Sequence, residues 1–405
     1  MRLRATTIYL VSNALSLLGN AIAGVVLPLV LLARTGDVLA AGSLALICAV
    51  PQFMAGFIGG AVLDRMDRKR VGIVSDLISA ASVALLPMVD AVWGLSFGWF
   101  VTLGLLGAVG DVPGMTARDT LMPAACKYDG VDLQRFVGID QTLNALVSVA
   151  GPAAAALLIG FAGDVNALWV TAVCSLAAAL VTALLPKELG RSANAGKRAK
   201  GQGAFVSARS LFLNGLRTLF AEDALIRVSI LLSFGVTMVM GAFQGIVLPA
   251  RFTAMGDPEL AGYVVAAMGA GLLVGSMAYS AASSMLSKRA WLVISLAGMA
   301  AGVLGLGLML PLPGMLISSV WTGFFAGPAS ALLGFFAYSR IPEDRRGVGM
   351  GALNALYLVV APVGAFAASA LIAAIGMAGT GVVLVAAWCA LCVAALSARP
   401  LRELE

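Results

Sequence analysis

Gly24-Val-Val-Leu-Pro28 and Gly245-Ile-Val-Leu-Pro249 are one apolar pentapeptide with a single Val/Ile exchange, repeated 221 positions later. Gly36-Asp37 and Ala41-Gly42 return as Gly256-Asp257 and Ala261-Gly262 at an offset of 220, and Arg68-Lys69 returns as Lys288-Arg289 at the same offset. Further on, Asn144-Ala-Leu146 with Pro152 returns as Asn354-Ala-Leu356 with Pro362 at an offset of 210. One such match arises by chance. Four in the same order mark a chain built of two halves that run in the same direction, a construction that places a binding cavity on the axis between them.

Composition says what the halves are made of. The chain has 405 residues, 60% hydrophobic and 11% charged, with a mean hydropathy of +0.99; a soluble domain carries roughly 25% charged residues. The apolar share is about 243 residues, enough for about twelve spans of ~20 residues each. Apolar runs broken by charges, Gly or Pro predict spans near 6–33, 38–63, 71–91, 95–115, 136–160, 166–186, 226–250, 260–285, 290–310, 314–337, 348–374 and 379–398. The expected fold is therefore an all-α membrane protein of twelve transmembrane helices in two six-helix halves related by pseudo-two-fold symmetry. Residues 1–186 form the first half, 187–225 a linker and 226–405 the second half. Within the linker, 190–203 is Gly-, Ser- and Lys-rich, while Phe205, Phe212, Leu216, Leu219 and Phe220 have helical spacing. An amphipathic helix there either lies on the membrane surface or packs on the protein as a connector.

The basic residues orient the spans. With both termini inside, 24 of the 26 Lys and Arg residues fall in alternate, cytoplasmic segments, Arg118 among them; only Arg34 and Arg251 fall outside. The +6 net charge thus reflects topology rather than nucleic-acid binding. The expected location is a bacterial cytoplasmic membrane, crossed many times, with the lipid bilayer as partner and a monomer as the default state. Histidine is absent, so proton coupling falls to carboxylates, and no metal or cofactor site is expected. Cys48, Cys126, Cys174, Cys389 and Cys392 lie mostly in apolar runs; the Cys389–Cys392 spacing lacks the polar flanks of a redox pair and reads as packing.

The connection between the second and third spans reads Gly60-Ala-Val-Leu-Asp64-Arg65-Met-Asp67-Arg68-Lys69-Arg70. It resembles the signature loop of the major facilitator superfamily, G-x-x-x-D-R-x-G-R-K. Gly60, Asp64, Arg65, Arg68 and Lys69 match, and Asp67 stands in place of the second glycine. The resemblance implies a gating loop that latches the cytoplasmic ends of the halves in the outward-open state; Ser284 stands at the Asp64 position of the second half, so any latch there is weaker. Ala117-Arg118 to Pro123, Asn144 to Pro152, Asn214 to Arg227 and Arg345 to Pro362 are similar to the branch containing macrolide efflux proteins and the enterobactin exporter. Gly151-Pro152 matches the start of the fifth-span motif of drug–proton antiporters, but Ala153 to Ala156 stand where that motif continues with glycines. The arginine that many proton-coupled relatives carry in the fourth span is missing from 95–115.

Ionisable groups at membrane depth are costly and mark function. Asp111, inside the fourth span, is either a proton-coupling or cation-substrate site or a structural or gating salt-bridge partner of the loop arginines, Arg65 especially. Asp76 is expected to partner the basic loop, and Asp140 to sit near a helix N-terminus. The resemblance implies a cavity lined by spans 1, 2, 4, 5, 7, 8, 10 and 11. Its polar or aromatic candidates are Asn20, Gln52, Asn144, Gln244, Trp321, Asn354 and Tyr357, each either facing a substrate or bonding another helix. Asn20 stands where many relatives carry an acid. With no Lys or Arg among them, these walls suit a neutral, amphipathic or cationic small molecule. The expected function is a secondary active exporter of such molecules (drug, macrolide-like or siderophore), working by alternating access and exchanging protons. An uncoupled facilitator or importer of a metabolite remains the alternative; no catalytic dyad or phosphate loop points to an enzyme.

Overall fold

The structure, a computed structural model, describes residues 4–63, 67–190, 204–221, 223–341 and 346–402. They form helices α1 (Ala5–Thr35), α2 (Val38–Leu63), α3 (Arg68–Trp93), α4 (Phe97–Asp129), α5 (Leu133–Ala162) and α6 (Ala167–Ala183). After the linker come α7 (Ala204–Phe220), α8 (Ala224–Met255), α9 (Glu259–Ala282), α10 (Lys288–Gly307), α11 (Leu312–Arg340), α12 (Arg346–Ser397) and the single turn α13 (Arg399–Arg402). Nine helices among the described residues are long and apolar enough to cross a bilayer. The last of these is two spans joined at Gly376, whose φ of 76° breaks the helix, and the apolar stretches Val38–Met54 and Ala167–Ala183 complete twelve. The chain clusters into two compact units, Met1–Gly36 with Ile47–Ser210 and Asp37–Leu46 with Leu211–Glu405.

Local chemistry explains the helix ends. Asp67, Asp132, Asp223 and Ser287 cap α3, α5, α8 and α10 by accepting backbone N–H groups of the first turn, which satisfies donors the helix cannot. The repeat is carried into geometry: Gly36 and Gly256 both close their helices with left-handed backbone, at φ 64° and 87°. Pro249 has no N–H, and just before it α8 widens into a π turn over Phe243–Val247. In each unit the connections opposite the termini are short, from the single Gly376 to the four residues of 163–166 and 308–311.

The two outlying arginines brace these connections. Arg34 grips Asp90 at the end of α3 through Nε and Nη2, at 3.1 and 2.9 Å, and reaches Asp164 in the α5–α6 connection. Arg251 donates from Nη2 to the carbonyls of Met309 and Leu310 at the end of α10, at 2.8 and 3.3 Å. Met309 is the one non-glycine residue with positive φ among those described, at 53°, a conformation that costs an L-residue about 1–2 kcal/mol. Met309→Gly is therefore expected to stabilise the protein by about 1 kcal/mol, read as a higher thermal midpoint in detergent; an unchanged or lower midpoint would refute the strain.

Packing in the second unit rests on backbone contact. On α9, Gly271 lies against the Val320 carbonyl and Gly275 against the Phe324 carbonyl of α11. In return Gly323 and Gly327 of α11 lie against the backbone of Met268 and Ser276. On the other side of α11, Gly298, Gly302 and Gly305 of α10 meet Phe325, Thr322 and Ser318. With no hydrophobic drive between helices in lipid, small residues that let backbones touch supply the attraction. On the linker helix α7, Leu219, fully buried, packs with Ile226, Ile230, Ile341 and Leu353, with Phe212 and Phe220 beside them.

One boundary departs from the sequence reading, which ended the fourth span at 115. Instead α4 runs on to Asp129 and closes at Gly130 in left-handed backbone, φ 67°. Its extension buries Leu121, Ala125 and Cys126 against Ala5, Ile8 and Tyr9 of α1 and Phe136 of α5. Hydropathy over 116–135 is lowered by charges whose burial depends on tertiary partners, so the run looked like a loop.

Candidate functional site

Within the first unit, α1 presents Tyr9, Ser12, Asn13 and Ser16 as one buried polar stripe, at spacings of three, one and three residues, which falls on one helix face. Tyr9 lies 5.9 Å, ring to ring, from Phe136 of α5, and each of the other three hydrogen-bonds a partner on another helix. Ser12 shares a hydrogen bond with Thr182 of α6 at 2.5 Å. Ser16 donates to Asp76 of α3 at 3.2 Å, and Asn13 donates to Asp140 of α5 at 2.8 Å. The stripe thus links the carboxylates of two other helices to α1.

Asp76 is paired with Arg118 of α4, whose Nη2 lies 2.6 and 2.5 Å from the two carboxylate oxygens. The residues are 3% and 9% exposed, so this is an ion pair largely shielded from water. Two expectations are thereby corrected. Among the described residues, Asp76 is bound by Arg118 and Ser16 and not by the basic loop. The fourth helix does carry an arginine; it lies beyond 115, on the extension that the sequence reading assigned to a loop. Asp140 is corrected too: it stands seven residues past the start of α5, too deep for the helix terminus to explain it. Its oxygens instead receive the side-chain amides of Asn13 and Asn144.

Asp111 is half-buried on α4, with the Ser79 side chain of α3 beside it. Asp76 and Arg118 lie within electrostatic range of it, as does Cys48 of α2. Of the gating-loop candidates, Asp64 and Arg65 lie outside the described residues. Gly60 is part of α2, and Arg68 opens α3. Lys69 caps α6 of its own unit by donating from Nζ to the carbonyls of Ala183 and Leu185, at 2.8 and 2.5 Å. That bond satisfies carbonyls a helix end leaves open and sets a cation at the negative end of its dipole.

The cavity candidates are distributed over both units. In the first, Asn20 and Gln52 are half-buried, and Asn144 is bonded to Asp140 of its own helix. In the second, Gln244 is exposed and donates to the Met268 sulfur at 3.2 Å. Asn354 is exposed, and the half-exposed Trp321 lies 5.2 Å from the Phe325 ring. Tyr357 meets Phe234 edge-on at 5.2 Å. The residues that sequence reasoning missed are Arg118, Tyr9, Asn13 and Ser16. A usable signal existed: Leu121 and Ala125 continue the helical spacing through the charges, and Gly130 offers a helix stop.

Comparison with known proteins fits this architecture. The Major Facilitator Superfamily family model matches residues 9–248. The multidrug efflux pump Tap of Mycolicibacterium fortuitum is 29% identical over 392 residues, covering 96% of this chain and 94% of that protein. Macrolide efflux protein A of Streptococcus pyogenes is 29% identical over 147 residues, 36% of each chain. Among solved structures, the nucleoside transporter NupG superposes with a TM-score of 0.74 at 13% identity, covering 98% of this chain and 100% of that one.

Proposed function

Because the chain belongs to the Major Facilitator Superfamily, we propose that it exports small amphipathic or cationic molecules, drug-like or macrolide-like compounds and siderophores among them, in exchange for protons. It is a multi-pass membrane transporter, not an enzyme. The observation that carries the export reading is the near end-to-end likeness to the mycobacterial pump, supported over a shorter stretch by the macrolide efflux protein. Alternating access by rocking of the two halves follows from the repeat, with the termini on the cytoplasmic face as the basic residues favour.

The coupling residue in this reading is Asp111, an acid on a membrane-spanning helix with a hydroxyl for a near partner. The gating loop and the cavity candidates keep the roles the sequence gives them: the loop latches, and the amides and aromatics receive substrate. Asn20 favours a second reading, an uncoupled facilitator, since it is neutral where relatives carry an acid.

The test is substrate-driven proton movement in proteoliposomes, with a panel of lipophilic cations, macrolides and siderophores. Wild type is expected to exchange protons for one class of compound, and Asp111→Asn to bring proton flux down to that of empty vesicles. Substrate movement without proton flux, unaltered by the substitution, would establish the facilitator instead.

A further inference from the structure

The ion pair in the first unit leaves its cation half used. Arg118 is 9% exposed, yet it bonds Asp76 through Nη2 alone, and its Nε is buried without an acceptor among the described residues. A buried N–H that has lost water and gained no acceptor is destabilising, so a guanidinium left this way has room for a second anion. The same helix supplies one. Asp111, Gly114 and Arg118 follow one another at spacings of three and four residues, which stacks them on a single face of α4. Two turns, about 10 Å, separate Asp111 from Arg118. Long helical side chains lean toward the N-terminus, and here the guanidinium does so: a Cβ placed on Gly114 would lie 3.6 Å from Arg118 Nη1. Gly114 itself puts no side chain between the guanidinium and Asp111; the space beside it holds the Ser75 side chain of α3, whose hydroxyl donates to the Gly110 carbonyl at 2.6 Å.

We propose that Arg118 is a shared counter-ion, holding Asp76 through one edge and receiving the Asp111 carboxylate on its unfilled edge when Asp111 gives up its proton. The inference deepens the coupling reading of Asp111 and names the group that makes its ionised form tolerable inside the protein. In the step, the Asp111 O–H bond breaks and the proton passes to water. Arg118 stays protonated throughout and donates N–H to the new carboxylate. Arg118 is a positioning residue in this scheme, since the proton never resides on it. The other groups facing this pair are Ser79 and Asp76 of α3, Cys48 of α2, Tyr9 of α1 and Asp119 of α4, with Asp140 of α5 beyond Asp119. Arg118 is the one cation in that set.

The test follows the protonated-carboxyl C=O stretch of the purified full-length protein by infrared titration, with the Asp111 band assigned as the one lost in Asp111→Asn. Asp76→Asn gives Arg118 wholly to Asp111 and is expected to lower the midpoint of that band. Arg118→Lys keeps the charge but lacks the planar fork that serves two acids, and is expected to raise it. Each shift is about one pH unit, a tenfold change in proton affinity. The lowered midpoint in Asp76→Asn also follows from the loss of a neighbouring negative charge, so the raised midpoint in Arg118→Lys, which keeps its charge, is the shift that carries the shared cation. If Asp76→Asn does not fold, a raised midpoint in Arg118→Lys supports the proposal and an unmoved one overturns it. Midpoints unmoved in both variants, or no Asp111 band at all, also overturn it. The outcome is separable from transport: opposite shifts in a protein that moves substrate without protons would refute the coupling reading and leave the counter-ion in place.

Discussion

Gly275→Leu is expected to yield no monodisperse protein, and Gly275→Ala a protein destabilised by about 1–3 kcal/mol. Even one added carbon at this position falls inside the Phe324 carbonyl, which is backbone and cannot swing aside. The helices must then separate along their whole crossing, so that Gly271, Gly323 and Gly327 lose their contacts as well. Gly24 provides the control, since nothing lies within 4 Å of a Cβ placed there, and Gly24→Ala should purify as wild type does. Size-exclusion profiles and thermal midpoints of these variants in one detergent make the comparison. A Gly275→Leu protein as stable as wild type would mean that α9 and α11 do not touch through their backbones.

The second large effect concerns the buried ion pair. Arg118→Leu strands Asp76 at 3% exposure with only Ser16 as a neutral donor, and removal of one partner of a buried pair costs about 3–5 kcal/mol. Restoring neutrality should restore much of the loss, because well-packed apolar replacements of a buried pair are often near neutral. The double variant Asp76→Leu with Arg118→Leu is thus expected to be more stable than Arg118→Leu alone. A double-mutant cycle on thermal or denaturant stability reads the coupling directly. Additive losses would show that the two side chains do not depend on each other. The effect is large because both groups have left water, whereas the exposed Arg34–Asp90 pair, worth about 0–1 kcal/mol, should be lost with little consequence for folding.

Much of the architecture could be read from residues, because membrane-spanning helices announce themselves by unbroken apolar length. The repeat anchors at Gly36 and Gly256 turned out to be equivalent helix stops, and the break expected between 374 and 379 is centred on Gly376. Arg118 shows where such reading stops. A window of sequence scores its charge as a sign of water, but what buries it is Asp76, 42 positions away on another helix. The same holds for Asn13 and Asp140, 127 positions apart: each alone looks like an ordinary polar residue, and only the packing of α1 on α5 makes them a pair. The candidate acid Asp111 was visible from its depth; its surroundings were not, since they come from α3 and from the far end of its own helix.

The short connections opposite the termini carry a practical consequence. A protease needs several extended residues to seat a chain in its cleft, and such segments occur at exposed loop tips. Links of one to four residues, two of them held through Asp164 by Arg34 and through Met309 by Arg251, provide none. Enzymatic shaving of sealed vesicles should therefore cut this protein from one face alone, the face that bears the central linker. An epitope spliced into any of the opposite connections must bring its own spacer to be seen.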